Sequence, residues 1–184
     1  MTLLILRRAV QQSLGIEEVP PAKVLIVVGQ GPEQGRWVLH EEMLCDRYAY
    51  FRAAFQGGFR ETQTKILTMP EDDPKAFGLF VDLMLHVYAN IFHHFGNDDE
   101  AVQLGLCKAY VLADMLGCQD VAENIDMQYR CYMCPAPTGF LARNVSEEAA
   151  QFVLEKTMDD DLLQQTIRQW LYSKAPLWPL ASQQ

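Results

Sequence analysis

Lys23-Val-Leu-Ile-Val-Val28, Gly29-Gln-Gly-Pro-Glu-Gln-Gly35 and Arg36-Trp-Val-Leu-His40 decide the fold. The first run is rich in β-branched residues and reads as a short buried strand. The second is polar and glycine-rich, a turn. The third alternates and reads as a second strand, so the three form a hairpin with a long loop. From Glu41 the period changes. Met43, Leu44, Tyr48, Phe51, Ala54 and Phe55 follow a helical pattern that Gly57-Gly58 stops. Residues 65–69, Lys-Ile-Leu-Thr-Met, are a third short strand.

Working outward, Pro70-Glu-Asp-Asp-Pro74 opens a helix. Asp73 suits the cap and Pro74 the first turn, where its missing N–H costs nothing. Phe77, Phe80, Val81, Met84, Leu85 and Tyr88 then fall on one apolar stripe. Asn97 to Glu100 has the form of a capping box. The helix it starts runs to about Leu116, is closed by Gly117, and turns Val102, Leu106, Tyr110 and Ala113 inward. Val121, Ile125, Tyr129 and Tyr132 line the next helix, and Pro135 and Pro137 break the chain. Residues 146–156 and 159–174 read as two more amphipathic helices, the last with Leu162, Leu163, Ile167, Trp170 and Leu171 inward. At the other end, Leu3, Leu6, Val10 and Leu14 recur at helical spacing until Val19-Pro20-Pro21. The expectation is an α+β fold with a small sheet and a cluster of helices, in the order helix, two strands, two short helices, strand, then about four helices. Its parts are a leader helix in residues 1–21, a domain in 22–134 and a helical extension in 135–184.

Composition narrows the function. The 184 residues are 49% apolar, enough for a packed core. Fifteen Lys and Arg against 24 Asp and Glu give a net charge of −9, the wrong sign for a nucleic-acid binder. No apolar run approaches the roughly 20 residues that cross a bilayer. The five cysteines are too few and too scattered for a disulfide scaffold. The first residues lack the order of a secretory signal, so reduced thiols in cytosol or nucleus are expected.

The chemistry-bearing motifs are thin. Gly29-x-Gly31 follows a strand, but the next glycine is Gly35 and a strand follows, so there is no helix N-terminus to cradle phosphate. Cys131-x-x-Cys134 supports an alternative reading, a small metal-binding or redox protein. Cys118, His93 and His94 are the remaining zinc-ligand candidates, at no standard spacing. None of the four serines lies in a nucleophile elbow. His40 ends a strand, His86 lies off its helix stripe, and His93-His94 is placed in a loop, none with a carboxylate orienter visible in sequence. The acidic runs 71–73, 98–100 and 159–161 coincide with helix starts, where capping and the macrodipole account for them. No catalytic residue, cofactor or metal is expected.

The central region resembles the BTB/POZ family, in the style of fungal BTB domain-containing proteins. The resemblance rests on Val24-Leu-Ile-Val-Val-Gly29, Trp37-Val-Leu-His40, Leu44, Tyr50-Phe51, Phe55 and Gly58-Phe-Arg-Glu61. It continues through Ile66-Leu-Thr-Met-Pro70, Phe77, Tyr110-Val-Leu-Ala-Asp114, Cys118 and Val121. It covers about residues 22–133, the size of one compact domain. The resemblance implies a non-catalytic protein-interaction module with protein partners, while the charge balance and the short apolar runs argue against nucleic acid and membrane. It implies homodimerisation through a helix before the first strand, here Leu3, Leu6, Val10 and Leu14. It also implies use as an adaptor that binds a cullin scaffold in a ubiquitin ligase. In such adaptors an aromatic–x–Glu motif lies between the second helix and the third strand, the place of Phe59, Arg60 and Glu61. The competing reading is that Phe59 caps the local core. Lys23 stands where the family often has Asp, Tyr48 where Ser is usual, and residues 91–97 form a longer connection.

Overall fold

The computed structural model describes residues 22–86, 88–133, 143–158 and 161–173, with the side chains of residues 170, 172 and 173 outside the description. The leader residues Leu3, Leu6, Val10 and Leu14 and the thiol of Cys134 therefore lie outside it.

The chain is a mixed α+β protein. β1 (Lys23–Val28) and β2 (Gly35–His40) form the expected hairpin, with a single 3₁₀ turn at Gly31–Glu33 in the loop. β3 (Ile66–Met69) adds on the far side of β1, giving the order β2-β1-β3. β1 runs antiparallel to β2 and parallel to β3. A parallel neighbour needs a crossover. Three short helices supply it: α1 (Glu41–Arg47), α2 (Ala49–Gln56) and α3 (Arg60–Thr64). Val24, Ile26 and Val28 alternate inward from β1 and are fully buried, with Leu44, Phe51 and Phe55 in the same core.

The helical pattern from Glu41 is the two short helices expected there, α1 and α2, and α3 adds a third before β3. Tyr48 takes extended backbone (φ −124°, ψ 125°) and serves as both the end of α1 and the start of α2. Its ring is buried and its hydroxyl donates to Asp120 at 3.3 Å, so the break aims a large side chain into the core.

α4 (Pro74–Leu85) starts as expected, with the Asp73 carboxylate accepting the N–H groups of Lys75 and Ala76. Phe77, Phe80, Val81 and Met84 face the core. The helix stops at Leu85, however, so the last two members of the predicted stripe, Leu85 and Tyr88, are exposed. The predicted loop carrying His93-His94 is a short helix, α5 (Ile91–Phe95), capped by the Asn90 side chain. α6 (Asp99–Met115) is capped by Asp98, one residue beyond the expected Asn97, because the Asp98 carboxylate reaches the Ala101 N–H at 2.9 Å.

α7 (Gln119–Met133), α8 (Glu147–Lys156) and α9 (Leu162–Ser173) complete the described chain. Ala149, Val153, Leu163 and Ile167 join the same buried cluster as the sheet. Leu171, expected inward, is exposed. No helix among the described residues is long and apolar enough to cross a membrane.

Candidate partner-binding site

The expected Phe59-Arg60-Glu61 site is the corner between α2 and α3. The corner is rigid for local reasons. Gly57 closes α2 with its N–H on the Ala53 carbonyl, and a Cβ there would meet that oxygen at 2.3 Å. Gly58 has φ +88°, a conformation that favours glycine. Its N–H donates to Thr62 Oγ1 at 3.0 Å, and the Thr62 hydroxyl donates to the Ala54 carbonyl at 3.1 Å. One threonine thus ties the two helices together.

Lys65 holds the other end of the corner. It is the one non-glycine residue with positive φ among the described residues (55°). Its Nζ donates to Glu41 at 2.9 Å and to the Phe55 carbonyl at 3.0 Å. The left-handed turn is therefore locked by a half-buried ion pair, and it sends the chain directly into β3.

On this frame Phe59 occupies the cap position of α3, with extended backbone and no capping side chain. Its ring is 62% exposed. That excludes the core-capping reading, and the core aromatics of this region are Phe51 and Phe55 instead. Arg60 is exposed, and Glu61 is half-buried in the first turn. Tyr50, on α2, stands edge-on to Phe51 at 5.5 Å and keeps part of its ring in solvent. Burial raises the pKa of its hydroxyl, and the charges of Asp72 and Glu61 raise it further. Tyr50 was named in sequence as part of the resemblance but not as a site residue, because an exposed Tyr beside a buried Phe looks like two core residues there.

The other candidate residues are not brought together. Among the described residues, no group of three or more His, Cys, Asp or Glu is placed to hold a metal ion. Cys131 is exposed near the end of α7, while Cys45, Cys107 and Cys118 are buried. Burial pushes the Cys118 thiol up to about 12, with the charge of Asp120 adding to the effect, so it stays protonated and unreactive. His94 does have a carboxylate partner, Asp82, at 2.8 Å, which no sequence spacing revealed. His86 shares a shallow cleft of about 220 Å³ with the Arg47–Asp120 ion pair.

Fold and site together define an α+β protein with an exposed aromatic–carboxylate corner on a braced turn. No protein family matches the chain, and no curated protein matches it.

Proposed function

We infer that this chain is a non-catalytic protein–protein interaction module of the BTB/POZ type, working in cytosol or nucleus. It recruits a protein partner through Phe59, Arg60 and Glu61, and the partner that best suits that motif is a cullin-type ubiquitin-ligase scaffold.

The observation that carries the reading is the exposure of Phe59. A large aromatic left in water on a braced turn, with a carboxylate two residues on, suits a partner pocket with a basic rim. The order of two strands, short helices, a third strand and then longer helices supports the resemblance of residues 22–133, with α3 one helix more than the two it implies before β3. Homodimerisation through Leu3, Leu6, Val10 and Leu14 belongs to the same proposal.

The test is retention of the full chain on an immobilised cullin N-terminal domain. Wild type should be retained, and Phe59→Ala and Glu61→Ala should each weaken binding about tenfold or more, as central anchors do. A wild type that fails to bind overturns the adaptor reading. Binding undiminished in both variants overturns the site. Light scattering addresses the dimer: wild type at the monomer mass would overturn it, and a dimer that Leu6→Glu dissociates would support it.

A further inference from the structure

We propose that the outer face of the sheet is a second docking surface, made for an extended partner segment that alternates acidic and apolar residues.

The register sets out the face. Val38, Leu25 and Ile66 lie side by side across the three strands. Val38 is 62% exposed and Ile66 41%, with Leu25 half-buried between them. Neighbouring strands are about 4.8 Å apart, so this is a continuous apolar row about 10 Å wide. Single exposed apolar residues are ordinary, but an aligned row is not. On one side of it runs the row Arg36–Val27–Thr68, and on the other the pair His40 and Lys23. None of these outward positions is acidic. Lys23 and Arg36 have no acidic partner among the described residues. The face is therefore basic on a chain of net charge −9.

Among the described residues β2 is also one of the two edge strands of the sheet, with no strand paired on its outer side. An added strand would find unpaired backbone groups there, the mode in which main-chain bonds give affinity and alternate side chains give choice. Arg36, Val38 and His40 point outward along that edge. The complementary strand presents acid, apolar, acid at alternate positions, each opposite its partner. A second copy of this chain does not meet that requirement. Two β2 strands paired antiparallel about Val38 would set Arg36 of each copy against His40 of the other, with no carboxylate for either.

The test uses the full chain and a fluorescein-labelled peptide, Gly-Glu-Thr-Val-Thr-Glu-Gly, with its Glu-to-Lys counterpart as control. Anisotropy should show saturable binding of the acidic peptide that weakens as salt is raised, and none of the basic one. Arg36→Glu should weaken the acidic peptide about tenfold, the size of one well-placed charge pair, and gain the basic one. Phe59→Ala should bind like wild type, which keeps this face separate from the site proposed above. No saturable binding, equal binding of both peptides, or binding indifferent to Arg36→Glu overturns the proposal. So does a homodimer that Val38→Glu dissociates, because the occupant would then be a second copy.

Discussion

Gly105 shows how far one residue can depart from its own propensity. It sits in the interior of α6, where alanine is favoured over glycine by about 1 kcal/mol. Yet a Cβ at this position would stand 2.4 Å from Cδ1 and Cε1 of Phe95. The glycine is there so that the Phe95 ring can lie against the α6 backbone and fix α5. Gly105→Ala is therefore expected to lower stability by about 1–3 kcal/mol, the usual cost of forcing an extra carbon into a packed contact. The measurement is the urea midpoint by circular dichroism. In a Phe95→Ala background the same substitution should turn neutral or stabilising, because only the propensity gain remains. A stabilising Gly105→Ala in the wild type would show that the ring does not hold that position. Neither residue stands out in sequence, since a close approach between two helices leaves no periodic trace. Phe59 is the converse case: its tripeptide is visible in sequence, but a core aromatic and an exposed anchor are spelled alike.

At the scale of elements, what needs explaining is how α8 and α9 are held to the core. Gln103, buried on α6, is the centre of one attachment. Its amide N–H₂ donates to Asp99 at 3.0 Å and to the Asn144 carbonyl at 2.9 Å. Its oxygen accepts the Ser146 N–H at 2.8 Å and the Tyr129 hydroxyl at 3.4 Å. All four of its hydrogen-bonding positions are used, and Ser146 is the cap of α8. A second attachment joins α7 to α9: Thr166 donates to the buried Asp126 at 2.8 Å, and Arg130 donates to both. Gln103→Leu keeps the bulk but leaves the Ser146 N–H and the Tyr129 hydroxyl in the interior without their partner. The expected cost is about 3 kcal/mol, from unsatisfied buried groups at 1–3 kcal/mol each. Hydrogen exchange should locate it: amides of α8 should exchange faster, with those of β1 changed least. Equal acceleration across the chain would mean that Gln103 serves the whole core and no particular element. The strands, the main helices and most of their buried faces were legible because a period of 2 or 3.6 follows directly from burial on one side. The Gln103 and Asp126 attachments were not, because each joins residues tens of positions apart and follows no period. The place of the break at Tyr48, the early end of α4 and the α5 helix were missed for a related reason. Each is decided by what the neighbouring element leaves room for.

On the scale of the whole molecule, the net charge of −9 is spent in unlike ways. Some carboxylates cap helices, as Asp73, Asp98 and Asp161 do. Asp73 also accepts from Lys108 of α6 at 3.0 Å, tying two helices together. Desolvation works to raise its pKa, but the Lys108 hydrogen bond and charge and the two capping N–H groups outweigh it, and the net shift is downward. Asp99 behaves alike: burial raises it, while hydrogen bonds from Tyr132, Arg143 and Gln103 bring it down. A carboxylate with a lowered folded pKa contributes stability that is present above its unfolded value, near 3.9, and is lost as pH falls through the folded value. Asp72 has the opposite sign. Desolvation and the charge of Glu71 raise its pKa, so its ionised form opposes folding at neutral pH and its protonation favours the native state. The urea midpoint should therefore stay level from about pH 8 to 5 and fall below about pH 4. Asp73→Asn keeps a good cap residue and removes the titrating charge. It should lower the midpoint at pH 7 and make the acid decline shallower. Asp72→Asn should raise the midpoint at pH 7 and leave it unchanged at pH 3, where both forms are neutral. If Asp73→Asn only shifts the whole curve without changing its slope, the acid sensitivity belongs to other carboxylates, and the Asp73–Lys108 pair holds the helices together without setting their response to pH.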